Sequence, residues 1–462
     1  MAGVMQRNLI IARCGAHSLH PEWLKGGEPE WDLVLCPFQP VDMQGLPGQM
    51  VPGHKWDGLY RFLTEWDGWK QYDYICFPDD DLRATAETWN RFFAACKQYS
   101  AKLAAPALTP GSFCSHLSTL QNKNFMARAS TFAEIMAPCM QRDFLHQALP
   151  TFRFSRAGTG FGLDLLWPMM LGWRDIWIMD ATPVEHTRPV GQQRSSALGE
   201  ISQYDFRFIA GLGVVGATWS YGGYTQQGTY LDYHDSRFAE LYRKGYAYVQ
   251  QHYPQYWAEV CAFQPSAPPQ LSTQALDKLE QALFHLNKDA GNILSRHRPA
   301  MLSTVSQWSW SHDAAREASG GNDGLINGGY GFHTDFEDDP WWQVDLEQMC
   351  KVQEVVLYNR LDQKECCVQL DILVSHNGTD WRTVFTKRDD THFGGADSQP
   401  LHVVLPKPVM ARFVRVQALG HTVLHLDQVE VIGTPGSMRS RNGFFEKLIY
   451  KTTRFLNAGR SE

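Results

Sequence analysis

A chain of 462 residues with 44% hydrophobic, 13% aromatic and 20% charged residues can bury sizeable cores but is too long for one ordinary domain. Wholesale disorder is excluded, and two or three domains are expected. A formal charge of -7 has the wrong sign for a general polyanion binder, so no nucleic-acid partner is expected.

In chain order, short apolar runs at 8–12, 33–36, 74–77 and 176–179 alternate with helical stretches such as 84–99, which predicts a layered α/β domain over residues 1–261. The first run is too short for a signal-peptide core, and no run approaches the roughly 20 residues of a membrane helix, so a cytoplasmic location is expected. Residues 262–272 carry three prolines and no charge and read as a connector; Leu279, Leu283 and Leu286 then fall about a turn apart, giving a linker-and-helix segment over 262–289. From 290 to 434 the pattern becomes short strands at 355–358, 370–374, 403–405 and 413–416 with Gly, Asn and Asp between them, which predicts an all-β sandwich or jelly roll. In the last segment, 435–462, six cationic residues face only Glu446 and Glu462, and its aromatic and aliphatic residues fall near helical spacing. A basic amphipathic tail in peripheral contact with the inner face of the cell membrane is one expectation; an ordinary packed helix is the other. Ten scattered cysteines without a C-x-x-C pair read as reduced, mostly buried thiols.

The densest chemistry lies in Tyr72-Asp73-Tyr74-Ile75-Cys76-Phe77-Pro78-Asp79-Asp80-Asp81, where an apolar strand ends in three acids. Adjacent carboxylates repel unless a cation neutralises them, and the period of a strand puts Asp79 and Asp81 on one side as a chelating pair for a hard divalent ion. A solvated acidic turn or a helix cap is the plain alternative. Gly158-Thr159-Gly160-Phe161-Gly162-Leu163-Asp164 presents one acid after a glycine loop, as a general base requires, and it lacks the dinucleotide fingerprint. The strand at 176–179 runs into a polar loop with His186 and Arg188, which can join the metal and the phosphates.

These residues carry a resemblance. Asn8-Leu9-Ile10-Ile11-Ala12-Arg13-Cys14-Gly15, Phe77-Pro78-Asp79-Asp80-Asp81-Leu82, Phe132-Ala133-Glu134-Ile135-Met136-Ala137-Pro138, Gly162-Leu163-Asp164 and His186-Thr187-Arg188-Pro189 together resemble a bacterial family with glycosyltransferase features, over most of 7–240. The resemblance implies a GT-A-like nucleotide-sugar transferase domain. Asp79 and Asp81 match its Asp-x-Asp pair for Mn²⁺ or Mg²⁺, His186 its later metal ligand, and Asp164 its catalytic base. Asp80, Arg13, Lys55 and Arg188 are candidates for the donor, and Glu134 and Gly162 for the acceptor. The loop offers one acid where such loops usually show two, which bears on inversion at the anomeric carbon.

Asn322-Asp323-Gly324-Leu325-Ile326-Asn327-Gly328-Gly329-Tyr330, Asp339-Pro340-Trp341-Trp342 and Val429-Glu430-Val431-Ile432-Gly433 resemble the discoidin, or coagulation-factor type C, module over about 290–434. Such modules are jelly-roll sandwiches that bind glycans or lipid headgroups through end loops. The resemblance implies a structural Ca²⁺ at Asp323, Thr334 and Glu430, and a glycan face near His333, Arg360 and the 392–397 loop. The expected function is therefore metal-dependent transfer of a sugar from a nucleotide-sugar donor to a growing surface glycan or lipid-linked glycan acceptor, beside an appended carbohydrate-binding module. The runner-up is a non-catalytic glycan-binding or scaffold protein.

Overall fold

The computed structural model describes residues 7–189, 196–287 and 292–436. The expected tail lies outside the described residues from 437 onward. The chain divides into two compact units, Met1–Leu286 and Asn287–Glu462. The boundary is thus later than the proline-rich connector, because the helix Thr273–Asn287 buries Ala275, Leu279, Ala282 and Leu286 and Lys278 Nζ donates to Gly211 O at 2.9 Å. Its apolar face belongs to the first unit, so residues 262–272 loop within that unit.

The first unit has mixed α/β content around a ten-stranded sheet. Its strands are β1 (Asn8–Ala12), β2 (Asp32–Leu35), β3 (Tyr74–Cys76), β4 (Leu82–Arg83), β5 (Leu103–Leu108), β6 (Phe125–Ser130), β7 (Cys139–Gln141), β8 (Ile176–His186), β9 (Ser220–Thr225) and β10 (Tyr230–Asp232). The order is β10-β9-β6-β8-β5-β7-β3-β1-β2, with β4 paired to β8. β1 runs parallel to both β2 and β3 and is buried along its whole length, which explains its uninterrupted apolar sequence. The helix Ala86–Gln98 starts at Thr85, whose hydroxyl accepts from Thr88 N, and buries Trp89, Phe92, Phe93 and Cys96 on one stripe. No helix among the described residues is long and apolar enough to cross a membrane.

The second unit is all-β. Strands β11 (Ala300–Leu302), β14 (Trp341–Tyr358), β15 (Leu370–Ser375), β16 (Trp381–Lys387), β17 (Leu401–Ala418) and β20 (Gln428–Pro435) form a six-stranded sheet, and β12 (Phe332–His333) with β19 (His425–Leu426) and β13 (Glu337–Asp338) with β18 (His421–Thr422) form two small ones. Two of these strands, β14 and β17, run 18 residues each, far longer than the short strands expected, and bulges between Asp345 and Cys350 and between Val352 and Glu354 let β14 bend. Alternate residues of these strands, Trp342, Val344, Leu346, Val414 and Val416 among them, fill one core. Trp342 is buried, whereas its neighbour Trp341 lies half-buried on the other face with the Arg415 guanidinium 4.2 Å from its ring centroid. The period of two separates the neighbours.

Candidate functional sites

Strand ends assemble the acidic site of the first unit. β3 leads into Asp79-Asp80-Asp81, and β4 returns antiparallel to the end of β8 with Leu82 opposite His186. Thr187 N and its hydroxyl both reach Asp81 O, at 3.2 and 2.8 Å, locking that register. His186 Nε2 consequently lies 3.3 Å from Asp81 Oδ2, while its Nδ1 lies 2.7 Å from Phe113 O. Burial works against charge on both side chains, but their mutual hydrogen bond and attraction outweigh it: the Asp81 carboxyl is held below its ordinary value and the His186 imidazole above.

Each acid of the triplet has its own basic partner. Lys55 Nζ donates to Asp79 Oδ1 at 2.6 Å and to the carbonyls of Ile135 and Met136 at 2.7 and 2.9 Å. Asp80 accepts from Gly15 N at 2.8 Å and from Arg188 Nη1 at 3.2 Å. Arg188 also donates to His17 O. In this one-to-one pairing the residues expected at a metal centre meet basic groups of the protein itself. Asp79 turns to Lys55 while Asp81 turns to His186, and no group of three or more His, Cys, Asp or Glu side chains among the described residues is arranged to hold an ion. The three residues do not fit an Mn²⁺ or Mg²⁺ cage as they stand.

Two donor and acceptor expectations also change. Arg13 is buried, and its guanidinium donates to the carbonyls of Cys36, Val51, Gly53 and His54 at 3.0, 2.7, 2.5 and 2.9 Å; it ties the 36–54 loop to the end of β1 and does not face a phosphate. Gly162 is buried with φ 92°, and a Cβ there would meet Ile209 Cδ1 at 2.9 Å. It allows close packing against the helix Ser196–Gly211 and does not line an acceptor surface.

Glu134 and Asp164 do join the cluster. Burial, reinforced by the charge of Asp164, pushes the Glu134 carboxyl up to about 8, and the charges of His186, Asp79 and Lys55 also act on it. Its Oε2 is buried with no hydrogen-bond partner. Asp164, in the first turn of the helix Leu163–Met170, is pushed up to about 7 by burial, against the pull of the Asp164, Leu165 and Gly162 N–H groups. A residue that sequence reasoning missed holds this loop. Asp205 accepts from Ser155 Oγ and from the Arg156 and Ala157 N–H groups at 3.0, 2.9 and 3.0 Å, and burial pushes its carboxyl up to about 7. Nothing in the local sequence marks Asp205, since its partners lie about 50 residues earlier.

These raised acids set a pH dependence. Folded Glu134, Asp164 and Asp205 keep protons that the unfolded chain releases near pH 4, so stability from them is fully present below pH 4 and lost as pH rises to about 7–8. Thermal unfolding of the full chain should show the first unit melting at a lower temperature at pH 8 than at pH 5. An unchanged or higher melting point at pH 8 would contradict the burial assigned to these acids.

A second cluster lies at one end of the β-sandwich. The Arg360 guanidinium lies 4.8 Å from the Tyr330 ring centroid, and the Tyr330 and His333 rings are 5.4 Å apart. Arg360 also forms a two-pronged ion pair with Asp362 at 2.5 and 2.6 Å. Tyr330 OH donates to Trp308 O at 2.6 Å, and Trp308 is 65% exposed beside it. Fully buried His425 backs the group, its ring 5.0 Å from His333; burial first, then the charges of His333 and Arg360, lowers its pKa to about 3 and keeps it neutral. The 392–397 loop adjoins through Asn359 N, which donates to Gly394 O at 3.0 Å. His333, Arg360 and this loop were expected at a glycan face; Trp308 and Tyr330 were not, since single aromatics in a loop carry no pattern.

The expected calcium ligands are not drawn to one point by their contacts. Thr334 Oγ1 accepts from Leu424 N at 2.8 Å and donates to Asp335 O at 3.1 Å. Asp323 Oδ1 accepts from Leu325 N at 2.8 Å, and Glu430 pairs with Arg296 at 3.4 Å and with Tyr358 OH at 3.1 Å. A cation of the protein itself meets Glu430.

Residues 303–426 match the F5/8 type C domain family, so the second unit contains a discoidin-like sandwich. Among solved structures, the chain is similar to the lectin domain of lectinolysin complexed with Lewis B antigen, at 28% identity over 30% of this chain and 96% of that one, with a TM-score of 0.25. It is also similar to a Streptococcus pneumoniae fucose binding module, at 24% identity over 32% of this chain and 98% of that one, TM-score 0.26. A fucolectin from striped bass (Morone saxatilis) serum is 25% identical over 32% of this chain and 51% of its own, TM-score 0.28. No curated protein matches the chain.

Proposed function

We propose that the chain is a carbohydrate-active protein in which the β-sandwich binds glycan and the α/β unit transfers a sugar from a nucleotide-sugar donor to a glycan or lipid-linked glycan. For the sandwich, the supporting observation is the cluster of exposed Trp308 beside Tyr330, His333 and Arg360, within a domain of the type C family. An aromatic face against the apolar side of a sugar, flanked by fixed cationic and imidazole donors, is the chemistry that recognises a ring bearing hydroxyls on one edge. Loss of a charged hydrogen-bond partner costs about 1.5–3 kcal/mol, so Arg360→Ala should weaken glycan binding roughly 10- to 100-fold, and Trp308→Ala should also weaken it without unfolding the domain. Glycan-array binding followed by titration calorimetry measures this; full affinity in both variants would remove this face from the reading.

For the α/β unit, the observation that carries the reading is the meeting of Lys55, Asp79, Asp81, Glu134, Asp164 and His186, drawn from five separate segments, with three acids, Asp79, Glu134 and Asp164, shifted towards neutrality. Such gatherings at the carboxyl ends of parallel strands are where α/β sheets place ligands. Displacing a nucleoside diphosphate from C1 of a sugar needs a base for the acceptor proton and positive charge beside the departing oxygens. Asp164 takes the proton. Arg188, with a side chain 36% exposed and five guanidinium donors, of which Asp80 and His17 engage only some, supplies the charge. A panel of nucleotide sugars, screened for thermal stabilisation of the full chain, tests the reading. A donor that raises the melting temperature supports transfer; a chain that binds glycans but no nucleotide sugar is the scaffold protein of the alternative reading.

A further inference from the structure

The type C resemblance places calcium beside Asp323 and Glu430, and the structure puts a guanidinium there. Arg296 Nη2 lies 3.4 Å from Glu430 Oε1, with side chains 7% and 0% exposed. The segment carrying Arg296 is stitched to β20 by Leu294 N donating to Val431 O at 2.7 Å, Ser295 Oγ to Val429 O at 3.2 Å, and Val431 N to Ser295 Oγ at 2.9 Å. On its other side, Asn322 Nδ2 donates to the carbonyls of Ser295 and Arg298 at 2.7 and 2.8 Å, and His297 N to Asn322 O at 3.0 Å. The turn after Asn322 closes over the guanidinium at Gly324, φ 85°, where a Cβ would lie 2.0 Å from Arg296 Nη1. Only glycine permits that approach.

We infer that Arg296 takes the place of a structural calcium in this sandwich, joining the 322–324 turn to strand β20 through Glu430, so that the module keeps its fold in calcium-free solution. Calcium requires six to eight oxygen ligands at 2.3–2.6 Å. Here Thr334 is turned to Leu424 and Asp335, one Glu430 oxygen faces Tyr358 and the other a fixed positive charge, which repels a divalent ion from the same pocket. The physical task is the same in both cases: a cation cancels the buried Glu430 carboxylate and draws two chain segments together. A guanidinium does so at any calcium concentration. The module therefore suits a compartment where calcium is scarce, a setting in which weak extracellular-type calcium sites stay empty.

Three measurements on the full chain decide it. After dialysis against calcium, elemental analysis should find less than one equivalent bound, and the melting temperature of the wild type should be the same in excess EDTA and in excess calcium chloride. Arg296→Met should lower that temperature by several degrees, and Arg296→Lys, which keeps the charge, by less. One equivalent of tightly held calcium, or a wild-type melting point raised by calcium, would overturn the inference. So would an Arg296→Met protein as stable as the wild type. If Arg296→Met does not fold, the calcium balance and the EDTA comparison on the wild type still give the answer.

Discussion

Asp164→Asn is expected to slow sugar transfer about 10²–10⁴-fold while leaving stabilisation by the nucleotide sugar intact, because an amide keeps the shape of the carboxylate but cannot accept the acceptor's proton. The wild-type rate should rise with pH through about 7, where burial has placed the Asp164 carboxyl, and level off above it. The variant should lose that rising limb. Its kcat should fall with little change in KM for the donor, since Asp164 sits in the first turn of its helix and is assigned a role only in proton transfer. A variant with wild-type kcat removes Asp164 from the chemistry. The carboxyl to examine next would be Glu134, whose ionisation is pushed to about 8 by burial and by Asp164 itself, and Glu134→Gln would then carry the rate loss.

Arg128→Met is expected to destabilise the first unit by about 3–5 kcal/mol, the range for breaking a buried ion pair by removing one partner. Arg128 on β6 and Asp180 on β8 are both 0% exposed, and they meet through two hydrogen bonds, Nε to Oδ2 at 2.8 Å and Nη2 to Oδ1 at 2.9 Å. Arg128 also donates to Ser220 Oγ at 3.2 Å and to Leu120 O at 2.8 Å, and Asn122 N donates to Asp180 Oδ1 at 2.7 Å. The pair thus ties β6, β8 and β9 to the 120–122 turn, and methionine would leave the Asp180 charge without its counter-ion in the core. Replacing both partners with apolar residues should recover much of the loss, because no buried charge is then orphaned. Urea unfolding followed by tryptophan fluorescence measures both; a loss below about 1 kcal/mol in Arg128→Met would mean that water reaches Asp180.

Arg128 also shows where a sequence stops being readable. Nothing near Arg128 or Asp180 distinguishes them from surface charges, because the partners lie 52 residues apart and meet only through the pairing of β6 with β8. Asp205 and Arg296 are similar. Their partners are chosen by how distant segments pack, and local composition carries no trace of it. The basic partners of the expected metal-site residues were hidden for the same reason. The strand period was expected to put Asp79 and Asp81 on one side, but the strand ends at Cys76, and local pattern could not tell that Lys55 would arrive 2.6 Å from Asp79. The domain boundary moved because the amphipathic stripe of Thr273–Asn287 is equally compatible with either neighbour until one of them covers it.

By itself the sequence determined the α/β content of the first unit, the β-sandwich of the second, and the grouping of Asp79, Asp80 and Asp81 at a strand end, because hydrophobic period and turn residues act within a few positions of one another. Tertiary structure alone decided which basic group each acid meets, which end of the sandwich brings Arg360 over Tyr330, and which guanidinium covers Glu430. Those outcomes depend on contacts between segments far apart in the chain, where burial makes the choice of electrostatic partner decisive and separation along the chain conveys nothing about it.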